Sequence, residues 1–83
     1  MDNPVPTPLL GQIGAALYGP HWRNPVAEAL GVRITTCQRW ANGAARIPPS
    51  VAPELLALID ARLPELLEAR RKLIEWIDQH PTD

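Results

Sequence analysis

The chain is poor in cysteine, histidine and serine, has no phenylalanine, and is close to neutral. Each shortage excludes something. Cys37 is the one cysteine among 83 residues, so no internal disulfide braces the fold. The two histidines, His21 and His80, lie far from Cys37 in sequence, and no Cys/His metal spacing exists. Ser50 is the only serine, and no glycine-rich loop could cradle a phosphate. Close carboxylates occur only toward the C-terminus. Catalysis is therefore not expected, and neither a cofactor nor a metal is called for. The longest apolar run, Leu55 to Ile59, is five residues. A membrane-spanning helix needs about 20. The segment Met1 to Pro6 has neither a basic n-region nor an apolar h-region, so no signal peptide is expected. With a lone free thiol, that predicts a cytoplasmic protein with no membrane partner.

What remains is the composition of one small globular domain, 46% apolar and 20% charged. A chain of this length buries only about 60–65% of its unfolded surface. Dimerisation is an inexpensive source of further stability at this size. The net charge is −1 and points to no class of partner by itself. Its distribution is uneven. Residues 1–49 carry four arginines against Asp2 and Glu28, a balance of +2; residues 50–83 carry four cations against seven acids, a balance of −3.

Ten prolines and several glycines punctuate the chain. Residues 1–7 alternate proline with small or polar residues and read as a flexible, extended arm. Thr7-Pro8 reads as an N-cap followed by proline at the first helical position. Leu9, Leu10, Ile13, Ala16 and Leu17 then recur at helical spacing until Gly19-Pro20, predicting a helix over about 8–18. A second helix begins between Trp22 and Pro25 and ends at Gly31. A third runs from Ile34 to Asn42-Gly43. Ile47-Pro48-Pro49-Ser50 is a stiff connector, with Ser50 as the N-cap of a long helix. Along that helix Leu56, Ile59, Leu63, Leu66, Leu73 and Ile77 follow a heptad interrupted by Arg70. Pro64 costs about 3 kcal/mol inside a helix, so a kink or break is expected near 62–64. No strand is predicted. The fold class is all-α: a helix-turn-helix core of three to four helices over 8–48 and a long, kinked C-terminal helical segment over 49–83.

The informative stretch is Val26 to Gly43. Two short helices meet at a turn containing Gly31. Ala27, four residues earlier, is small where the next helix crosses. Val32, Cys37 and Trp40 supply apolar groups that lock the second helix on the first. Ala27, Gly31, Cys37 and Trp40 fit the helix-turn-helix pattern of the lambda-repressor/Cro-like (XRE-type) DNA-binding family, which the chain resembles over roughly residues 9–48. Two residues depart from that pattern. Arg33 stands where the family has a capping Ser or Thr, and Cys37 replaces the common valine. The resemblance implies a transcriptional regulator, a dimeric repressor of phage or mobile-element type.

The third helix can be tested by its faces. At about 100° per residue, Cys37, Trp40 and Ala41 share one side, and Thr35, Gln38, Arg39 and Asn42 lie between about 100° and 200° away from Cys37. The outward residues include types that read base edges in the major groove: Arg to guanine, Gln to adenine, Thr to several groups. Thr35, Gln38 and Arg39 are the base-reading candidates. Ile34, between the two faces, either packs inward or meets a thymine methyl. Arg23, Asn24, Arg33, Thr36, Asn42 and Arg46 are candidates for the DNA backbone. So few phosphate contacts would bind one subunit weakly, and a palindromic double-stranded site read by a homodimer is expected. Leu63, Leu66, Leu73, Trp76 and Ile77 are the expected dimer interface. The opposing possibility is that this helix folds back and completes its own core. Two other functions fit the same sequence: an antitoxin-like or adaptor protein that binds a protein partner through the C-terminal helix, and a helical interaction module that kept the turn but not DNA binding.

Overall fold

The computed structural model describes residues 3–80. Helix α1 spans Thr7–Tyr18 and leads through a single 3₁₀ turn, Gly19–His21, into α2, Arg23–Leu30. Helix α3 spans Ile34–Ala41, and α4 spans Val51–Gln79. The fold is all-α; among the described residues the only extended pairing is one antiparallel bridge between Val5 and Ile47. No described helix is long and apolar enough to cross a membrane.

The core gathers a few residues from every element: Leu10 from α1, Trp22, Val26 and Ala27 around α2, Cys37 and Trp40 from α3, and Val51 and Leu55 from the start of α4. Gly14 fixes how α1 meets Trp22. A Cβ on Gly14 would stand 2.5 Å from two indole carbons of Trp22. The ring therefore lies against the backbone of α1, an approach that only glycine permits.

Two expectations need correction. Helix α1 begins one residue early, with Pro6 as its N-cap and no capping side chain, so the Thr7 hydroxyl does not cap it. The amides of Leu9 and Leu10 instead reach the Pro6 carbonyl at 3.0 and 3.2 Å. The arm over 1–7 is not free along its length. Val5 is buried, and its amide donates to the Ile47 carbonyl at 3.1 Å. An apolar side chain next to the Ile47 connector has more to gain from the core than from solvent. Residues 1–2 of that arm lie outside the described residues. Of the kink or break expected near 62–64, the break does not occur: α4 runs through Pro64 as one helix. Asp60, whose carbonyl loses its helical donor there, is exposed, so water can satisfy it. Ser50 does occupy the N-cap of α4, though its hydroxyl makes no capping hydrogen bond.

Helix α4 also settles the fold-back question for the described residues. It touches the core through Val51 and Leu55, with Leu58 and Ile59 half-buried. Every residue from 61 to 80 is exposed. The helix projects from the domain, and the molecule measures 54 × 24 × 20 Å.

Candidate nucleic-acid interface

The turn between α2 and α3 is built by backbone geometry that the sequence specifies. Gly31 has φ +70°, in the left-handed region. Its amide donates to the Glu28 carbonyl at 3.2 Å, and the Val32 amide donates to the Ala27 carbonyl at 3.0 Å. These two bonds form a Schellman closure, which satisfies the last carbonyls of α2. Val32 then packs against the core. Helix α3 ends in the same way. The Gly43 amide reaches the Trp40 carbonyl at 3.3 Å and the Ala44 amide reaches the Arg39 carbonyl at 2.9 Å, with Gly43 at φ +79°. Two Schellman turns thus bracket α3.

Between them, α3 is sharply two-sided. Cys37 and Trp40 are buried and Ala41 is half-buried, while Thr35, Gln38, Arg39 and Asn42 are exposed. The inward and outward faces read from the sequence are the faces in the structure. Burial pushes the Cys37 thiol up from its ordinary pKa, and the positive charge of Arg23 opposes that rise. The thiol is a neutral packing group.

The remaining site residues divide by setting. Ile34 is half-buried and packs on the core, so most of its apolar body is committed inward. Thr36 is half-buried. Arg33 is the N-cap of α3 in an extended conformation, exposed, with no capping side-chain hydrogen bond. The first-turn amides of α3 therefore lack a capping side chain, as the arginine in place of a capping Ser or Thr leads one to expect. Asn24 is exposed on α2. Arg23 is exposed and lies over Trp22, 4.9 Å from the ring centroid. Arg46 sits apart from α3, in the connector, at a shallow cleft beside Pro4 to Thr7. Asn42 is partly engaged within the fold. Its Oδ1 accepts from the Ala44 amide at 3.0 Å, which leaves the side-chain amide NH₂ for any other partner.

The electrostatics of the two halves differ. Glu28 is the one acidic residue between positions 3 and 49. Among the described residues Arg23, Arg33, Arg39 and Arg46 form no ion pair, and all four are exposed. On α4 the cations are partly neutralised. Arg71 holds both Glu68 and Glu75 at 2.6 Å, and Arg62 lies 3.9 Å from Glu65. Arg70 and Lys72 form no ion pair either, but they stand among the acids of α4, whereas the helix-turn-helix half sets four unpaired arginines against Glu28 alone among the described residues. Comparison with family models, curated proteins and solved structures finds no match to this chain.

Proposed function

We propose that the protein is a sequence-specific double-stranded DNA-binding regulator, acting as a dimeric repressor. The observation that carries the reading is the outward face of α3: Thr35, Gln38 and Arg39 are exposed together on a helix locked by a glycine turn. In the proposed mode α3 lies in the major groove. Arg39 reads guanine, Gln38 reads adenine, and Thr35 meets an adjacent base. Arg33 and the uncapped first-turn amides of α3 meet a phosphate at the positive end of the helix dipole. Arg23, Asn24, Thr36, Arg46 and the Asn42 amide are further backbone donors. The unpaired guanidiniums support this role, since none must first leave an acidic partner. A bound dimer would block promoter DNA from other proteins. Arg39→Ala tests the reading. Losing one bidentate base contact costs about 1–3 kcal/mol, roughly 5- to 150-fold in Kd. Because Arg39 is exposed and unpaired, its removal should leave the melting temperature unchanged. Equal affinity for DNA in the variant would remove the base-reading role.

The exposed apolar stripe of α4 favours a second reading, an antitoxin-like or adaptor protein that docks a protein partner there. Copurification of a stoichiometric partner, together with no sequence preference on DNA, would select it.

A further inference from the structure

The distal half of α4 divides by heptad position more cleanly than its composition suggests. With Leu56 as position a, the a, d, e and g positions from 63 to 77 hold Leu63, Leu66, Leu67, Ala69, Leu73, Ile74, Trp76 and Ile77; Arg70 alone departs. The b, c and f positions from 65 to 79 hold only charged or polar residues, including the Glu68–Arg71–Glu75 ion-pair chain. The apolar stripe spans about 160° of the helix, wider than the a/d seam of a two-stranded coil. Its large side chains are 42–65% exposed. At on the order of 200 Å² per large apolar side chain, roughly 800 Å² lies open, as much as one partner contributes to a stable interface. The nearby α1–α4 face holds a matching vacancy. An apolar groove of about 310 Å³ is lined by Leu9, Ile13, Leu17, Ile59, Leu63 and Leu66, among others. Arg62 stands at its edge, donating to the Leu17 carbonyl at 2.8 Å, with its guanidinium 5.4 Å from the Tyr18 ring centroid.

We infer that the occupant of both surfaces is a second copy of this chain, and that the two α4 helices pair antiparallel, each distal stripe lying along the other's α1–α4 groove. Arg70 decides the direction. Parallel pairing in register would set Arg70 against the partner's Arg70 in one core layer, two like charges facing each other out of water. Antiparallel pairing sets a against d. One register then aligns Ile59 with the partner's Ile77, Leu63 with the partner's Leu73, and Leu66 with the partner's Arg70. The two arginines fall in separate layers, each with its aliphatic stem on a leucine and its guanidinium free to reach solvent. The contact is self-complementary and closes as a two-fold dimer. In that register the two Leu55 residues, where each helix leaves its core, stand about 39 Å apart along the shared axis at 1.5 Å per residue. That is close to the 34–36 Å between half-sites one DNA turn apart. The dimer itself needs no DNA; its bearing on half-site spacing rests on the DNA-binding reading above.

The test is made on the full chain without DNA, so that its failure is separate from a failure of base reading. Sedimentation at 10–100 µM should give a dimer. A nitroxide on Asp78→Cys then reports direction, with Cys37 buried and unlabelled. Antiparallel helices in the stated register place the two labels about 30 Å or more apart. Parallel helices 8–10 Å apart place them within about 20 Å. Leu66→Lys, exposed in the single protomer, sets a second cation against the partner's Arg70, and should keep its helical circular dichroism and sediment as a monomer. A monomer throughout the range for the unmodified chain, a short label distance, or a Leu66→Lys dimer each overturns the proposal; a monomer that instead captures a different protein counts with the first.

Discussion

Two glycines one helical turn apart on α1 should respond to the same substitution in opposite directions. Alanine in place of glycine inside a helix gains about 1 kcal/mol by propensity at either position. The difference lies in Trp22. A Cβ at position 11 would meet its Cζ2 at 3.9 Å, an ordinary contact. At position 14 it would stand 2.5 Å from Cδ2 and Cε3, and 2.9 Å from Cγ. The indole must then retreat by about 1 Å, and it is only 7% exposed and wedged into the core. Overpacking of that kind costs about 1–3 kcal/mol. Gly11→Ala should therefore stabilise the protein by up to about 1 kcal/mol, and Gly14→Ala should be neutral to destabilising by about 2 kcal/mol. In a domain of this size each kcal/mol moves the melting temperature by roughly 4–8 °C. Thermal melts followed at 222 nm at one protein concentration would measure both. Equal melting temperatures for the two variants would refute the close packing of Trp22 on Gly14.

Other predictions are narrower. Gly31→Ala should destabilise by about 1–2 kcal/mol through left-handed strain alone, because nothing lies within 4 Å of the added Cβ; an unchanged melting temperature would contradict the Schellman turn. Cys37 should resist a thiol reagent in the native protein and react fully on unfolding. Its raised pKa carries a further consequence, since the stability it contributes is complete below the unfolded thiol's pKa and is lost as pH rises through the folded value. A pH series of denaturant melts should show that loss, and Cys37→Ala should not. On α4 the Arg71 guanidinium holds the Glu68 carboxyl below its ordinary range. Helix content from that ion pair should be present above the usual carboxylate pKa and fall as acid crosses Glu68's lowered value; Arg71→Ala should abolish that step.

Much of the fold was legible because it is written in local rules. Gly19, Gly31 and Asn42-Gly43 end helices in the structure as their chemistry dictates. The facing of α3 follows from its period alone. The missed features come from contacts between distant segments. Val5 reads as part of a mobile arm until Ile47 supplies a partner 42 residues away. No local signal assigns Gly14 to Trp22 or Arg62 to the Leu17 carbonyl. Pro64 reads as a kink or a break because its cost is local; that the helix continues unbroken depends on solvent reaching that stretch of α4. In the candidate site, the exposure of Thr35, Gln38 and Arg39 was accessible from spacing. The internal hydrogen bond of Asn42 and the inward commitment of Ile34 needed three dimensions. Sequence could suggest that Leu63, Leu66, Leu73, Trp76 and Ile77 exceed what the core needs, but only the structure leaves them all exposed.

DNA reading by α3 can be measured outright by selection of the purified chain on a random duplex library at about 0.15 M salt, where non-specific phosphate binding is weak. The selected pool should be enriched in an inverted repeat whose half-sites lie about one helical turn apart, with Arg39→Ala losing preference at one position of each half-site. A folded, helical protein that enriches no sequence would show that the outward face of α3 does not read bases.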